Sequence, residues 1–219
     1  MTRKELHEYW RYYLILEKRF IETIEFTELF PTNYKSFSNN YALLMQAIGA
    51  EMDTMFKIYC GFNTNDYKSI SDYAKNIDDE EQNKKPQHAI DHPFRNQEIQ
   101  VTGYGITLQP FKDWDNSKPK QSLAWWDAFD CLKHNRYESR DKANQQNALN
   151  MLSALFLLEM KMLKKITEGK KELDIFDNGS DLFSLKSWSN KVVPLKDAFG
   201  VLSDMMEKGE NFAPKSVDV

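Results

Sequence analysis

The chain has 219 residues, a formal net charge of −4 and a hydrophobic fraction of 41%. This length suits one domain with appendages. Its 14 Phe, 10 Tyr and 5 Trp residues supply large side chains for a core. The negative charge excludes a chain that attracts nucleic acid over its whole surface, although a local basic patch can still bind it. No apolar run reaches ~18–20 residues, the start is not a signal peptide and only two cysteines are present, which favours a cytoplasmic protein without a membrane partner.

Two long helices are predicted at the start of the chain. Residues 3–29 contain no Gly or Pro, their apolar residues recur at helical spacing, and Thr2 is a suitable N-cap. A second helix is predicted from the serine and asparagine cluster at 36–39 to about Cys60, where Gly61 ends it. The short polar turn between the two helices favours an antiparallel hairpin.

Residues 62–120 form an insert with a different pattern. A short helix is expected over residues 69–77, followed by a charged, solvated loop over 78–86. Residues 98–102 and 106–109 alternate weakly on either side of Gly103-Tyr104-Gly105, which predicts a small β-hairpin. We expect this insert to lie over one end of a helical bundle.

Two further helices and a C-terminal extension complete the prediction. The third helix covers about residues 122–137 and the fourth about 140–166, where the apolar run 148–158 should be the most buried part of the chain. Residues 169–219 form an extension with one short amphipathic helix that begins near Pro194. The predicted fold is therefore all-α: an antiparallel bundle of four long helices within residues 1–168, interrupted by the irregular and β-hairpin insert.

The third predicted helix carries a candidate acid or base. At about 100° per residue its apolar side chains share one face, whereas Asp130 and His134 lie on the other side. Histidine titrates near neutral pH, and a carboxylate four residues earlier can accept a hydrogen bond from the imidazole. The alternative interpretation is an ordinary exposed pair on a bundle helix.

A cationic cluster follows the same helix. In projection Arg136 returns towards the core side, where a guanidinium needs a carboxylate partner or a hydrated site. Glu51 interrupts the apolar stripe of the second helix, so an ion pair from Glu51 to Arg136 or Lys133 would satisfy both groups. Such a cluster either holds the bundle together or lines a functional cleft. Arg140 and Lys142 extend it and are candidate nucleic-acid contacts.

Metal and cofactor chemistry find little support. His88 and His92 have metal-ligand side chains, but they lie between two prolines and lack a fourth ligand, so no metal is expected. The chain also has no glycine-rich phosphate loop and no nucleophile elbow, so no cofactor is expected.

Three short motifs carry a resemblance to a known family. They are the aromatic run at 9–13, the stretch from Tyr41 to Gly49-Ala50-Glu51-Met52-Asp53, and the stretch from Trp125-Trp126 to Lys133-His134-Asn135-Arg136. Over about residues 5–165 they resemble a group of bacterial proteins that is similar to the HEPN superfamily (higher eukaryotes and prokaryotes nucleotide-binding). The family's motif places an arginine four to six residues before a histidine on one helix. Only the histidine carries over, as His134, since residues 128–130 are Ala, Phe and Asp.

The resemblance implies a function as well as a fold. HEPN domains are helical bundles that often dimerise, and many are metal-independent endoribonucleases of phage-defence or toxin–antitoxin systems. His134 would then act as acid or base, Arg136 or Lys133 would replace the missing arginine beside the phosphorane, and Glu51 would orient one of them. RNA, a cognate antitoxin and a second copy of the chain are the expected partners. The alternative is a catalytically inactive helical module that binds a protein or a nucleotide.

Overall fold

The computed structural model describes residues 1–83, 94–115, 117–167, 176 and 178–185. All of these residues belong to one compact unit that spans Met1–Ser187. They are mostly helical and include one three-stranded antiparallel sheet. The predicted helical character is therefore confirmed. The expected helix after Pro194 and the pair His88 and His92 lie outside the described residues.

Three long helices form the centre of the molecule: α1 (Arg3–Ile24), α2 (Asn39–Tyr59) and α6 (Gln145–Thr167). Helix α1 begins with a capping box, in which the Thr2 hydroxyl accepts the Glu5 N–H at 3.2 Å and the Glu5 carboxylate accepts the Thr2 N–H at 2.7 Å. Ser38 caps α2 by accepting the N–H of Tyr41 at 3.1 Å. The starts predicted for both helices are therefore confirmed, although α1 ends at Ile24 rather than near residue 29.

Helix α6 is the buried centre of this bundle. Every residue from 151 to 159 is buried, which confirms the expectation drawn from its apolar run. The helix packs against both α1 and α2. It begins at Gln145 rather than at residue 140, because a separate 3₁₀ turn at Arg140–Lys142 precedes it.

Helix α5 (Ala124–His134) is shorter than the predicted third helix. Its core face is as expected, since Trp125, Phe129 and Leu132 are buried. The helix ends at His134 because Asn135 leaves the helical conformation, with φ −148° and ψ 84°. The prediction of four long helices is therefore not confirmed in detail: α1, α2 and α6 have 21 to 23 residues, whereas α5 has 11.

The insert contains more regular structure than predicted. Helix α3 (Ile70–Asn83) continues into the stretch expected to be a loop, and α4 (Pro119–Ser122) forms where no helix was expected. Helix α3 is fastened by the Asp78 carboxylate, which lies 2.6 Å from the Arg95 guanidinium. The charge pattern alone suggested a solvated loop because it does not reveal that Asp78 contacts Arg95 in another part of the chain.

The predicted β-hairpin is confirmed and gains a third strand. Strands β1 (Ile99–Val101) and β2 (Ile106–Leu108) pair antiparallel, with Ile99 opposite Leu108. The turn between them holds Gly103 and Gly105 at φ 81° and 65°, a region that favours glycine. Strand β3 (Phe183–Leu185) pairs with the other edge of β1. Part of the predicted C-terminal extension is therefore built into the same unit as the bundle.

An aromatic cluster joins the insert to helices α2 and α5. Neighbouring rings lie between 5.0 and 6.3 Å apart, centre to centre, in arrangements from stacked to edge-on. The indole N–H of Trp125 donates to the Pro110 carbonyl at 2.7 Å. The rings belong to Phe56, Tyr73, Phe94, Phe111, Trp114, Trp125 and Trp126.

Within the described ranges, no helix combines the length and apolar character that a bilayer crossing requires.

Candidate functional site

His134 lies on the surface at the last turn of α5. Its side chain is 73% exposed, and its Nε2 lies 3.5 Å from Oδ1 of Asp130. The other oxygen of Asp130 forms an ion pair with Lys120. The carboxylate is therefore shared between the imidazole and an ammonium group, as in an ordinary surface ion pair. Lys133 is exposed beside it and forms no ion pair with any described residue.

Arg136 faces a groove instead of the core. Because α5 ends at His134, the chain turns before Arg136, and its guanidinium donates to Oδ1 of Asn39 at 3.2 Å. The predicted position on the core side is wrong for this reason. The cavity beside it has a volume of about 400 Å³ and is named the arginine groove. It is lined by Phe37, Ser38, Asn39, Ala42, Arg136, Tyr137, Arg140 and Ala143.

The two walls of the arginine groove are joined by backbone hydrogen bonds. One wall is the start of α2, and the other is the segment between α5 and α6. The N–H of Ser38 donates to the Ala143 carbonyl at 3.1 Å, and the N–H of Gln145 donates to the Ser36 carbonyl at 3.0 Å. These bonds fix the spacing of the walls, so the groove exists without a ligand.

The lining of the arginine groove combines cations with exposed aromatic rings. The Arg140 guanidinium lies 5.5 Å from the centre of the Tyr137 ring, a distance suited to a cation–π contact. The Tyr137 side chain is 75% exposed and that of Phe37 is 53% exposed. Among the described residues, no carboxylate forms a salt bridge with Arg136 or Arg140.

Lys142 points away from the groove. Its Nζ lies 2.9 Å from Oδ2 of Asp127 and 3.0 Å from Sγ of Cys131 on α5. The hydrogen bond to Asp127 and then that to Cys131 raise the pKa of Lys142. Its ammonium group therefore joins the segment before α6 to α5. Lys142 was predicted to contact nucleic acid, but its Nζ is directed at Asp127 and Cys131 instead.

Glu51 does not reach the cationic cluster. The predicted ion pair with Arg136 or Lys133 is not formed, and burial raises the pKa of this half-buried carboxyl. Its electrostatic neighbour is Glu159 on α6, a fully buried residue that the sequence analysis missed. Desolvation, and then the charge of Glu51, raise the pKa of Glu159 well above its ordinary value.

Within the described part of the chain, no three His, Cys, Asp or Glu side chains come together as metal ligands. The structure thus separates the predicted site residues into four places. His134, Asp130 and Lys133 lie at the end of α5, and Arg136 and Arg140 lie in the groove. Lys142 contacts α5, and Glu51 lies on α2 near Glu159 of α6.

Sequence reasoning missed the α2 side of the groove. Phe37 and Asn39 belong to the segment at 36–39 that the sequence analysis interpreted as the start of the second helix. Their partners lie about a hundred positions further along the chain, and no local pattern connects the two segments.

Comparison of the chain with protein-family models, with curated proteins and with solved structures finds no match. The function therefore has to be argued from the geometry of these sites.

Proposed function

We propose that this protein is a helical module that binds single-stranded RNA in the arginine groove and does not cleave it. The observation that carries the proposal is the groove itself. Its two guanidinium groups form no salt bridge with a carboxylate of the described residues, and they lie beside two exposed aromatic rings. This combination suits a flexible strand that presents both phosphates and bases.

The guanidinium groups of Arg136 and Arg140 supply donors for phosphate oxygens. Each has several N–H groups in a planar fork, and one of those on Arg136 is used by Asn39. The start of α2 adds to this, because Asn39 is its first residue and the N-terminus of a helix carries partial positive charge. The exposed rings of Tyr137 and Phe37 offer stacking surfaces for bases.

Local charge supports the same interpretation. Among the described residues, the lining of the arginine groove contains two Arg residues and no Asp or Glu, whereas the whole chain has a net charge of −4. A basic patch on an acidic protein directs nucleic acid to one place and repels it elsewhere.

A second candidate function is metal-independent RNA cleavage by His134. The exposed imidazole beside Asp130 favours it, since this pair could transfer a proton. Against it, His134 does not line the arginine groove, and the position of the family's arginine is occupied by other residues. Binding without cleavage is therefore the function that the geometry supports best.

Fluorescence anisotropy with a labelled single-stranded RNA tests the binding function. We expect Arg140→Gln to weaken binding about tenfold and to lower the slope of log affinity against log salt by about 0.7, the value for one lost contact on a single strand. Arg11→Gln, which removes the same charge from an exposed arginine of α1, is the matched control and should bind like the parent. Equal weakening by both variants would show nonspecific attraction and overturn the proposal.

Incubation of the same RNA with the protein in EDTA tests the second function. We expect no cleavage by the parent protein and equal RNA affinity for the parent and His134→Ala. Cleavage that is present in the parent and absent in the variant would replace the binding proposal with the endoribonuclease.

A further inference from the structure

A second groove lies between the C-terminal half of α1 and the N-terminal half of α2. It has a volume of about 510 Å³ and is named the α1–α2 groove. Its walls are largely apolar, and several of its apolar side chains are unusually exposed: Phe26 is 88%, Leu43 67% and Phe37 53% exposed. Exposed aromatic and aliphatic groups that line one cavity are typical of a binding surface.

Tyr41 gives this groove an unmet polar requirement. The residue lines the groove and is only 3% exposed, yet its hydroxyl has no hydrogen-bond partner among the described residues. A buried hydroxyl without a partner is unfavourable, so a ligand with a hydrogen-bonding edge would be stabilised here.

A cation lies at the rim of the same groove. The Arg19 side chain is 71% exposed, and its guanidinium is 3.5 Å from the Glu22 carboxylate, a weak surface ion pair. The groove thus offers an apolar wall, the Tyr41 hydroxyl without a partner among the described residues, and a guanidinium that is paired only weakly with Glu22. A nucleotide has a flat base, which suits the apolar wall, polar base edges, which suit the hydroxyl, and a phosphate, which suits the guanidinium.

The α1–α2 groove adjoins the arginine groove. Both cavities are lined by Phe37 and Ser38, so the exposed Phe37 ring stands where they meet. A strand that leaves the arginine groove on this side enters the α1–α2 groove directly.

We infer that the α1–α2 groove is a nucleobase site, which takes up the bases of an RNA strand whose phosphates contact Arg136 and Arg140. This inference rests on the proposed function and extends it, because it assigns a second site and a minimum ligand length. Short oligonucleotides fill only the arginine groove, whereas longer ones also stack against the side chains of the α1–α2 groove.

A length series of labelled single-stranded oligoadenylates, from three to nine nucleotides, tests this inference by anisotropy. For the parent protein we expect affinity to rise steeply once the oligonucleotide spans both grooves. Phe26→Ala should remove most of that rise, about tenfold in affinity for the nine-nucleotide RNA, and leave the three-nucleotide RNA unaffected. Tyr41→Phe, which deletes only the hydroxyl, should lower the affinity for the longer RNA about threefold.

Phe30→Ala is the matched control, because Phe30 is 55% exposed but does not line the groove. Leu43→Glu is a second groove variant, which places a carboxylate where the strand would pass and should also abolish the rise with length. Thermal unfolding checks that each variant folds.

The outcomes separate the two proposals. If Phe26→Ala and Leu43→Glu keep the parent's length dependence while Arg140→Gln still weakens binding, the nucleobase site is refuted and the arginine groove stands. If no oligonucleotide of any length binds the parent protein, the proposed function fails and the nucleobase site fails with it.

Discussion

Two fully buried glutamates, Glu17 on α1 and Glu159 on α6, have opposite environments. Glu17 is 2% exposed and accepts hydrogen bonds from side chains and backbone, whereas Glu159 is 0% exposed and has no hydrogen-bond partner on either carboxyl oxygen among the described residues. Burial of a carboxyl group is costly unless such partners replace its hydration. The same residue type therefore stabilises the fold at position 17 and destabilises it at position 159.

Glu17 joins α1 to the segment that leads into β3. Its carboxylate accepts the Tyr13 hydroxyl at 2.6 Å, the Asp181 N–H at 3.0 Å and the Leu182 N–H at 3.3 Å. The Ser180 hydroxyl also donates to it. One side chain thus satisfies several donors that would otherwise be buried without acceptors, and it fixes a distant part of the chain against the bundle.

Glu159 lies among apolar side chains and near a second carboxyl. Desolvation, and then the charge of Glu51, raise its pKa well above the ordinary value, so the core favours the neutral form of this carboxyl. The comparison teaches that partners, rather than depth, decide what a buried glutamate contributes. Four measurements test that difference.

The largest expected effect is that of Glu17→Ala. The variant leaves buried donors without an acceptor, and we expect the free energy of unfolding to fall by about 3 kcal/mol. Urea denaturation followed by circular dichroism measures this change. Glu8→Ala, an exposed substitution on the same helix, is the control and should cost far less. Equal losses in both would refute the role of the network.

A change of opposite sign is expected for Glu159→Met. Methionine fills a similar volume without a polar group, so we expect the free energy of unfolding to rise by about 2 kcal/mol at neutral pH. The same denaturation experiment applies, with Glu22→Met on the exposed side of α1 as control. A loss of stability in Glu159→Met would show that the carboxyl has a stabilising partner.

The pH dependence of stability distinguishes Glu159 further. Its pKa is raised in the folded state, so above the ordinary value of 4.5 the unfolded chain releases a proton that the folded chain retains. The free energy of unfolding therefore falls as the pH rises from 4.5 to the folded-state pKa of Glu159. The slope is at most about 1.4 kcal/mol per pH unit. Glu159→Gln should show a shallower fall when urea denaturation is repeated at a series of pH values above 4.5. If Glu159→Gln leaves the slope of the unfolding free energy against pH unchanged, Glu159 is not the source of the pH dependence.

The smallest effect is expected for Ser180→Ala. It removes the hydroxyl that donates to Glu17 and accepts the N–H of Phe183 at 2.8 Å. We expect a loss of about 1 kcal/mol in the free energy of unfolding. Ser184→Ala, at the exposed middle residue of β3, provides the comparison and should be close to neutral. A larger loss in the control would place the stabilisation in the strand itself.

Much of the helical framework was predictable from local signals. The caps at Thr2 and Ser38, the apolar run of α6 and the glycine-containing hairpin all follow from neighbouring residues, and the structure agrees with each. The length of α3 was not predictable in this way, because its charged stretch is held by the contact of Asp78 with Arg95. The third strand was missed because its partner β1 lies some eighty positions earlier in the chain.

The candidate site was predictable only in part. The sequence identified Arg136 and Arg140 as cations of interest, but it assigned Arg136 to a helix face that ends two residues before it. The helical projection placed Arg136 wrongly because it assumed that the helix continues through Asn135. Glu51 was correctly seen as an interruption of an apolar stripe, and its actual neighbour Glu159 is the kind of long-range contact that periodicity cannot supply.

One close contact between helices has a consequence far from where it lies. A Cβ atom on Gly49, in the middle of α2, would overlap the ring of Phe129 on α5. The absence of a side chain at this position therefore allows α2 and α5 to approach each other closely. Asn39 is the first residue of α2, and Arg136 follows the end of α5 by two residues. A methyl group added at position 49 would act as a wedge that changes the width of a groove about three helical turns away. For the RNA-binding function proposed above, affinity would therefore depend on a residue that the ligand does not touch.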